Sequence, residues 1–239
     1  MRLAHTVQTA LLPQALPVIP GLDLYATSRP ALEVGGDFFD LVLLPSHPLI
    51  FALGDVTGKG MSAALLMTMA RTVVRSAARN MPFTAPHQLM KRLNDDLLDD
   101  FSAVGMFSTV FIGLLDETTL SLSYCNAGQS PILYLPANRE PVLLEALDIP
   151  IGIFTSYDYN SQALALSRGD IFIAASDGFP ETRDTSGEMF GYERLKQAFA
   201  ATRNLSAQEM AENLFTATNI FSGGQPQDDD DTLIIIKIL

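Results

Sequence analysis

Aspartates gather at four places in this chain, and no other residues in it are so clearly arranged for chemistry. They are Gly35-Gly36-Asp37-Phe38-Phe39-Asp40, Gly54-Asp55-Val56-Thr57-Gly58-Lys59-Gly60, Ser176-Asp177-Gly178, and the run Asp228 to Asp231. An apolar, β-like run adjoins each one: 49–53 leads into Asp55, 171–175 leads into Asp177, and 233–236 follows the aspartate run. Carboxylates at strand ends can converge on a rigid frame even when they are far apart in sequence. Oxygen-only ligand sets suit hard divalent cations such as Mg²⁺ or Mn²⁺. Two such cations together activate water against a phosphate ester. Singly, each cluster has a plain explanation, because Asp-Gly is ordinary turn chemistry and an acidic run is commonly a solvated loop. Strand-like context at all four places favours a metal site.

The elements that must position these acids can be read from periodicity. Residues 1–12 read as the end of a helix broken by Pro13, with Val7, Leu11 and Leu12 on its apolar side. A helix that starts at the first residue without a cap suggests a chain cut from a longer protein. Alternation marks strands at 22–26, 38–44 and 49–56, with a turn at Pro45-Ser46-His47-Pro48 between the last two. A helix begins near Gly60, where Leu66, Met69 and Val73 form a stripe widened by Leu65. A second spans 86–101 with Leu89, Leu93, Leu97 and Phe101 every four residues. Strand-like runs follow at 107–115, 119–125, 162–166 and 170–175, then helices near 192–202 and 206–221. The latter opens on Ser206-Ala207-Gln208-Glu209, a capping-box pattern. A strand at 233–238 closes the chain. This order fits a layered α/β sandwich.

In this order the motifs resemble a known family. Val34 to Asp40, Gly54 to Gly60 with Ala63-Ala64-Leu65, Asn126-Ala127-Gly128-Gln129-Ser130-Pro131, Ser176 to Glu181, Phe190 to Leu195 and Asp229-Asp230-Asp231-Thr232-Leu233 are similar to the SpoIIE-type branch of the PPM-type protein serine/threonine phosphatases. The resemblance spans nearly the whole chain. It implies an αββα sandwich, two central, mostly antiparallel sheets flanked by helices. It also implies two Mn²⁺ or Mg²⁺ ions and hydrolysis of phosphoserine or phosphothreonine on an anti-anti-sigma-factor-like protein. Residues 1–20 would be a linker helix with a proline-rich lead-in, and 21–239 the phosphatase domain. In the family such a linker carries a signal from an upstream sensor domain, often through a homodimer.

Carried over residue by residue, the resemblance makes Asp37, Asp55, Asp177 and Asp229 metal ligands that act through activated water. Asp55 would bridge the ions and the Val56 carbonyl would add a ligand. Asp229 is chosen because Asp-Asp-x-Thr aligns on Thr232, with Asp230 one register away. Glycines 35, 36, 54 and 178 are expected to keep side chains out of the substrate's approach. Thr57 stands where eukaryotic relatives carry a histidine, Gln129 where this branch often does, and Pro180 follows Phe179 in the Asp-Gly loop.

Composition narrows the remaining classes. With 48% hydrophobic and 18% charged residues among 239, the chain can bury a large core. Its net charge of −12 argues against nucleic acid as a partner. One cysteine excludes an internal disulfide, and Cys125 reads as a small buried strand residue. His5, His47 and His87 have no zinc spacing. Prolines at 13, 17 and 20 break the uncharged stretch 3–22, so neither a membrane span nor a signal core fits and a cytoplasmic protein is expected. Met61 occupies the hydroxyl position that a nucleotide-binding phosphate loop would need. Arg71, Arg75 and Arg79 form a row four apart, read as a solvated face with docking of an acidic phosphoprotein as the functional alternative. The runner-up function is a non-catalytic domain of the same fold that binds a regulatory partner. A phosphodiesterase or small-molecule phosphatase is the third.

Overall fold

Residues 38–43 show how the layers arise. Phe38 and Val42 belong to one apolar cluster, whereas Phe39 and Leu41 belong to another. A strand with two apolar faces must lie between two layers. The computed structural model describes residues 2–44, 48–81 and 85–239, so the expected turn at Pro45 to Pro48 falls, apart from Pro48, outside the described residues.

In chain order the elements are α1 (Arg2–Leu11), β1 (Leu22–Arg29), β2 (Phe38–Leu43), β3 (Leu49–Val56), α2 (Met61–Asn80) and α3 (Pro86–Val104). They continue as β4 (Ser108–Asp116), β5 (Ser121–Ala127), β6 (Ile132–Leu135), β7 (Val142–Leu144), β8 (Gln162–Ala165) and β9 (Ile171–Ala175). Then come α4 (Gly178–Glu181), α5 (Gly191–Thr202), α6 (Ala207–Ser222) and β10 (Asp231–Ile238). The strands form two five-stranded sheets, ordered β1-β10-β9-β6-β7 and β2-β3-β4-β5-β8. Every neighbouring pair is antiparallel. Three short elements, β6, β7 and α4, have too few residues to show a period in sequence.

Three apolar layers separate the four structural ones, which gives the αββα sandwich. Phe39, Phe51, Leu53, Phe111, Phe172 and Ile234 pack between the sheets. Phe51 and Phe111 of one sheet meet Phe172 of the other with ring centroids 5.8 and 5.7 Å apart, contacts worth ~0.5–1.5 kcal/mol each beyond their burial. Met67, Val74, Leu89, Leu93 and Phe101 of α2 and α3 cover one outer face. Leu195, Phe199, Met210 and Leu214 of α5 and α6 cover the other. Cys125 is fully buried in β5, as expected. Among the described residues, no helix is long and apolar enough to cross a membrane.

The arginine row differs from both sequence readings. Arg71 is buried and pairs with Asp40 at 3.1 Å, and Arg75 reaches the same carboxylate at 2.5 Å. Only Arg79 stays exposed. The row therefore ties α2 to β2 through the buried Asp40 and presents no basic docking face. The expected apolar side of α1 also splits. Leu3, Val7 and Leu11 point to solvent, while Gln8 is buried and Leu12 packs on the core.

The capping box of α6 forms as expected: Ser206 Oγ accepts from the Glu209 N–H at 3.2 Å, and Glu209 accepts from the Ser206 N–H at 2.8 Å. Replacing Ser206 with alanine removes one half of this exchange. The expected cost is about 1 kcal/mol, to be read from the midpoint of urea unfolding.

Candidate metal centre

Strand register brings the first two acids together. Phe38 pairs with Gly54 across β2 and β3, so Asp37, just before β2, lies beside Asp55 near the end of β3. In the other sheet Ala175 pairs with Leu233, so Asp177 and the 229–231 segment leave adjacent strand ends. Contacts of β10 with β2 and β3 set these two ends against each other. Each sheet thus supplies one pair of expected ligands to one end of the sandwich.

The cluster is electrostatically unfavourable by itself. Asp37 is 4% exposed, and its Oδ2 has no hydrogen-bond partner. Burial raises its carboxyl well above the usual range, and Asp55 and Asp230 raise it further. Burial also pushes Asp55 up to about 7, aided by Asp177, Asp229 and Asp230. Asp177 is raised by burial and then by Glu181 and Asp229. Buried, mutually repelling carboxylates with an orphaned oxygen are donors suited to a divalent cation. Among the described residues, no three acidic, histidine or cysteine side chains are drawn closely enough to enclose one ion.

The members of the aspartate run have different surroundings. Asp230 accepts the Ala31 N–H at 2.8 Å and the Asp37 N–H at 3.2 Å, one on each oxygen. It clamps the loop that carries Asp37. Asp229 is 3.0 Å from Lys59 and lies in the field of Asp55 and Asp177. Asp231 is buried in β10 with Oδ1 unpartnered, and burial pushes its carboxyl up to about 7 against the attraction of Arg29.

The four glycines serve the protein's own packing, which corrects their expected role. A Cβ at Gly35 would lie 1.9 Å from Asp230 Oδ2, and one at Gly36 would lie 2.5 Å from the Val56 carbonyl. At Gly54 it would strike the Phe38 ring, and at Gly178 the Asp230 carbonyl at 2.3 Å. Gly36 also accepts the Val56 N–H at 3.3 Å, so this peptide is held directly against the loop before Asp37. The departures from the family pattern also have structural partners. Thr57 Oγ1 exchanges hydrogen bonds with the Phe107 backbone. Gln129 Oε1 accepts the Ser130 N–H, and Pro180 is buried in α4.

Beside Asp229 opens a cleft of about 630 Å³, whose lining includes Arg29, Lys59, Glu181, Arg183 and Phe215. Arg29 stacks over the Phe215 ring with its guanidinium carbon 3.5 Å from the centroid. No sequence period foretells this cleft, because β1, α4, α6 and the loop before β10 build it jointly.

The raised carboxyls carry a sign. Asp37, Asp55 and Asp177 hold protons more tightly folded than unfolded. The metal-free fold therefore loses stability as pH rises from about 4 through about 7. Divalent cations bind the deprotonated acids, so they recover most at the upper end. Without added cation the melting temperature is expected to be higher near about pH 5.5 than near about pH 7.5, with Mn²⁺ reversing that order. Differential scanning fluorimetry across both pH values reads it.

Known proteins share this fold. The SiaA-PP2C domain of Pseudomonas aeruginosa superposes with a TM-score of 0.88 at 22% identity, covering 99% of this chain and 94% of that one. RsbX, solved in complex with magnesium, gives 0.66 at 14% identity, with 94% of this chain and 99% of that one covered. Two antiparallel sheets with flanking helices define a PP2C-type, or PPM-type, phosphatase fold. Residues 45–239 match the family described as Stage II sporulation protein E, and the chain belongs to that family of protein serine/threonine phosphatases. The phosphoserine phosphatase RsbU of Bacillus subtilis is 31% identical over 99% of this chain and 69% of its own length. Protein IcfG of Synechocystis is 26% identical over 96% of this chain, which spans only 40% of that relative.

Proposed function

We propose that this domain dephosphorylates phosphoserine or phosphothreonine on a small regulatory protein of the anti-anti-sigma-factor type, using two Mn²⁺ or Mg²⁺ ions. Asp37, Asp55, Asp177, Asp229 and the Val56 carbonyl would hold the ions, with Asp55 between them. The observation that carries this reading is that Asp37 and Asp55 from one sheet and Asp177 and Asp229 from the other lie at the same end of the sandwich, with the first three carboxyls raised by burial and by neighbouring acids. Bound divalent ions supply water activation and neutralise phosphoryl charge. The chain's own residues do the rest. Asp230 fixes the Asp37 loop, and Gly36 admits the Val56 carbonyl to the site. That each Asp230 oxygen accepts a backbone N–H supports Asp229 as the fourth ligand over Asp230.

The adjoining cleft would receive the protein surface that presents the phosphorylated side chain, with Arg29, Arg183 and Lys59 as its cations among the acids Glu181, Glu212, Asp228, Asp229 and Asp231. RsbU's description as a phosphoserine phosphatase and the magnesium in RsbX support this reading. In a longer protein the domain would answer to an upstream sensor through α1, with homodimerisation as one route, in a cytoplasmic pathway. One observation favours the second reading, a cation-free regulatory domain: Lys59 already neutralises Asp229 at 3.0 Å. Phosphate release from a phosphoserine-bearing protein, measured with Mn²⁺ and with chelator, separates the two. Manganese-dependent release is expected, and its absence with both phosphoprotein and aryl phosphate rejects catalysis. A diester tested in parallel should not be cleaved.

A further inference from the structure

Met61 denies the Gly58-Lys59-Gly60 turn a nucleotide-loop role, yet its lysine is placed for chemistry. The turn leaves β3 just after Val56 and leads into α2. Lys59 Nζ donates to the Asp228 carbonyl and lies 3.0 Å from Asp229 Oδ2. One side chain thus crosses from the sheet that carries Asp55 to the aspartate run that enters the other sheet. The lysine side chain is half exposed and lines the cleft beside Asp229. Arg29 and Arg183 line it too, but Arg29 stacks on Phe215 and Arg183 donates to the Gly187 carbonyl.

We propose that Lys59 is a phosphoryl-binding residue that works by exchanging partners. It neutralises Asp229 while the acids hold no cation, and it turns to the substrate's phosphoryl oxygens once they do. This rests on the proposed reading of Asp229 as a ligand. An ion pair as exposed as this one is worth roughly fivefold at most in an equilibrium constant, so Asp229 exchanges it readily for a divalent ion. Two such ions also reverse the field that holds the ammonium among carboxylates. The flexible four-carbon stem lets the ammonium swing into the cleft, where a phosphoryl group offers it charged acceptor oxygens. The same ammonium therefore opposes cation binding and favours substrate binding, so its removal moves the two affinities in opposite directions. Damage to the fold or to the site would lower both.

The test compares wild type, Lys59→Met, Lys59→Arg and the control Lys91→Met. Lys91 pairs with Asp95 at 3.7 Å along α3, so its replacement removes the same charge from another surface. Titration calorimetry without substrate gives Mn²⁺ dissociation constants. KM for an aryl phosphate and the inhibition constant of inorganic phosphate are read at saturating Mn²⁺. Lys59→Met is expected to bind Mn²⁺ about threefold more tightly at low salt, with the difference shrinking as salt is added. Its KM and its inhibition constant should both rise about tenfold, the loss of one charge-assisted contact. Lys59→Arg, which keeps the charge, should hold wild-type Mn²⁺ affinity within about twofold, and Lys91→Met should match wild type throughout. Unchanged or weaker Mn²⁺ binding by Lys59→Met overturns the exchange while leaving the metal reading intact, because the lysine then only ties down the 228–229 segment. So does an unchanged KM in Lys59→Met, tighter Mn²⁺ binding by Lys59→Arg, or an equal gain of Mn²⁺ affinity in Lys91→Met. If wild type itself binds no Mn²⁺, the metal reading fails and this proposal with it.

Discussion

Asp55→Asn is expected to reduce phosphate release by at least about 100-fold, because changes one shell further from a metal already cost 10–100-fold. The substitution keeps size and removes one charge from the most crowded point of the acid cluster. Asp55 lies in the fields of Asp177, Asp229 and Asp230, and burial pushes its carboxyl up to about 7. A neutral amide there ends the repulsion and also the attraction for cations. The fold should therefore gain stability without metal while Mn²⁺ affinity collapses. Asp37→Asn, Asp177→Asn and Asp229→Asn should follow with smaller losses, since each would serve one ion. Asp231→Asn is the internal control. Its carboxyl is buried in β10 and also pushed up to about 7, so an uncharged replacement changes little. Turnover and titration calorimetry at limiting Mn²⁺ give the answer. Wild-type behaviour of Asp55→Asn under those conditions removes this residue from the site.

Asp40→Asn is the largest stability effect expected from one side chain. Asp40 is 1% exposed and receives Arg71 at 3.1 Å and Arg75 at 2.5 Å. Arg71, itself buried, would keep its charge and lose its partner, and breaking such a pair costs ~3–5 kcal/mol. For a domain of this size the melting temperature should fall by roughly 6–20 °C. Arg71→Met removes the buried cation instead, so Asp40→Asn with Arg71→Met should be less destabilised than the sum of the two single changes. Additive losses would show that the pair is not coupled. Because the tie joins α2 to the strand that follows Asp37, Mn²⁺ affinity measured on the same variants reports whether this anchorage also reaches the metal site.

The two arginines also show where reading from sequence stops. Their spacing of four is visible in the chain, but whether a helix row faces water or core depends on what packs beside it. Here Asp40, 31 residues earlier than Arg71, supplies a buried counter-charge. Similar reasons explain Gln8, whose partner Gly35 is 27 residues away, and the glycines, whose neighbours are Asp230, Val56 and Phe38.

The residues alone determined the long elements, because an apolar period over many positions can be satisfied only by one face against a core. They also determined the candidate ligands, since Asp37, Asp55, Asp177 and the aspartate run each adjoin such a strand. The capping box of α6 and the buried Cys125 follow from local chemistry and were equally legible. The alignment on Thr232 favoured Asp229 over Asp230 as the ligand, and only tertiary structure shows how their surroundings differ. Asp229 and Asp230 are chemically identical and adjacent, and they differ because the Ala31 and Asp37 N–H groups occupy Asp230 alone. It also decided the glycines' task, the short strands β6 and β7, and the grip of Gln8 on Gly35. All of these depend on contacts between segments distant in sequence, and a linear pattern carries no record of which distant backbone will need a partner.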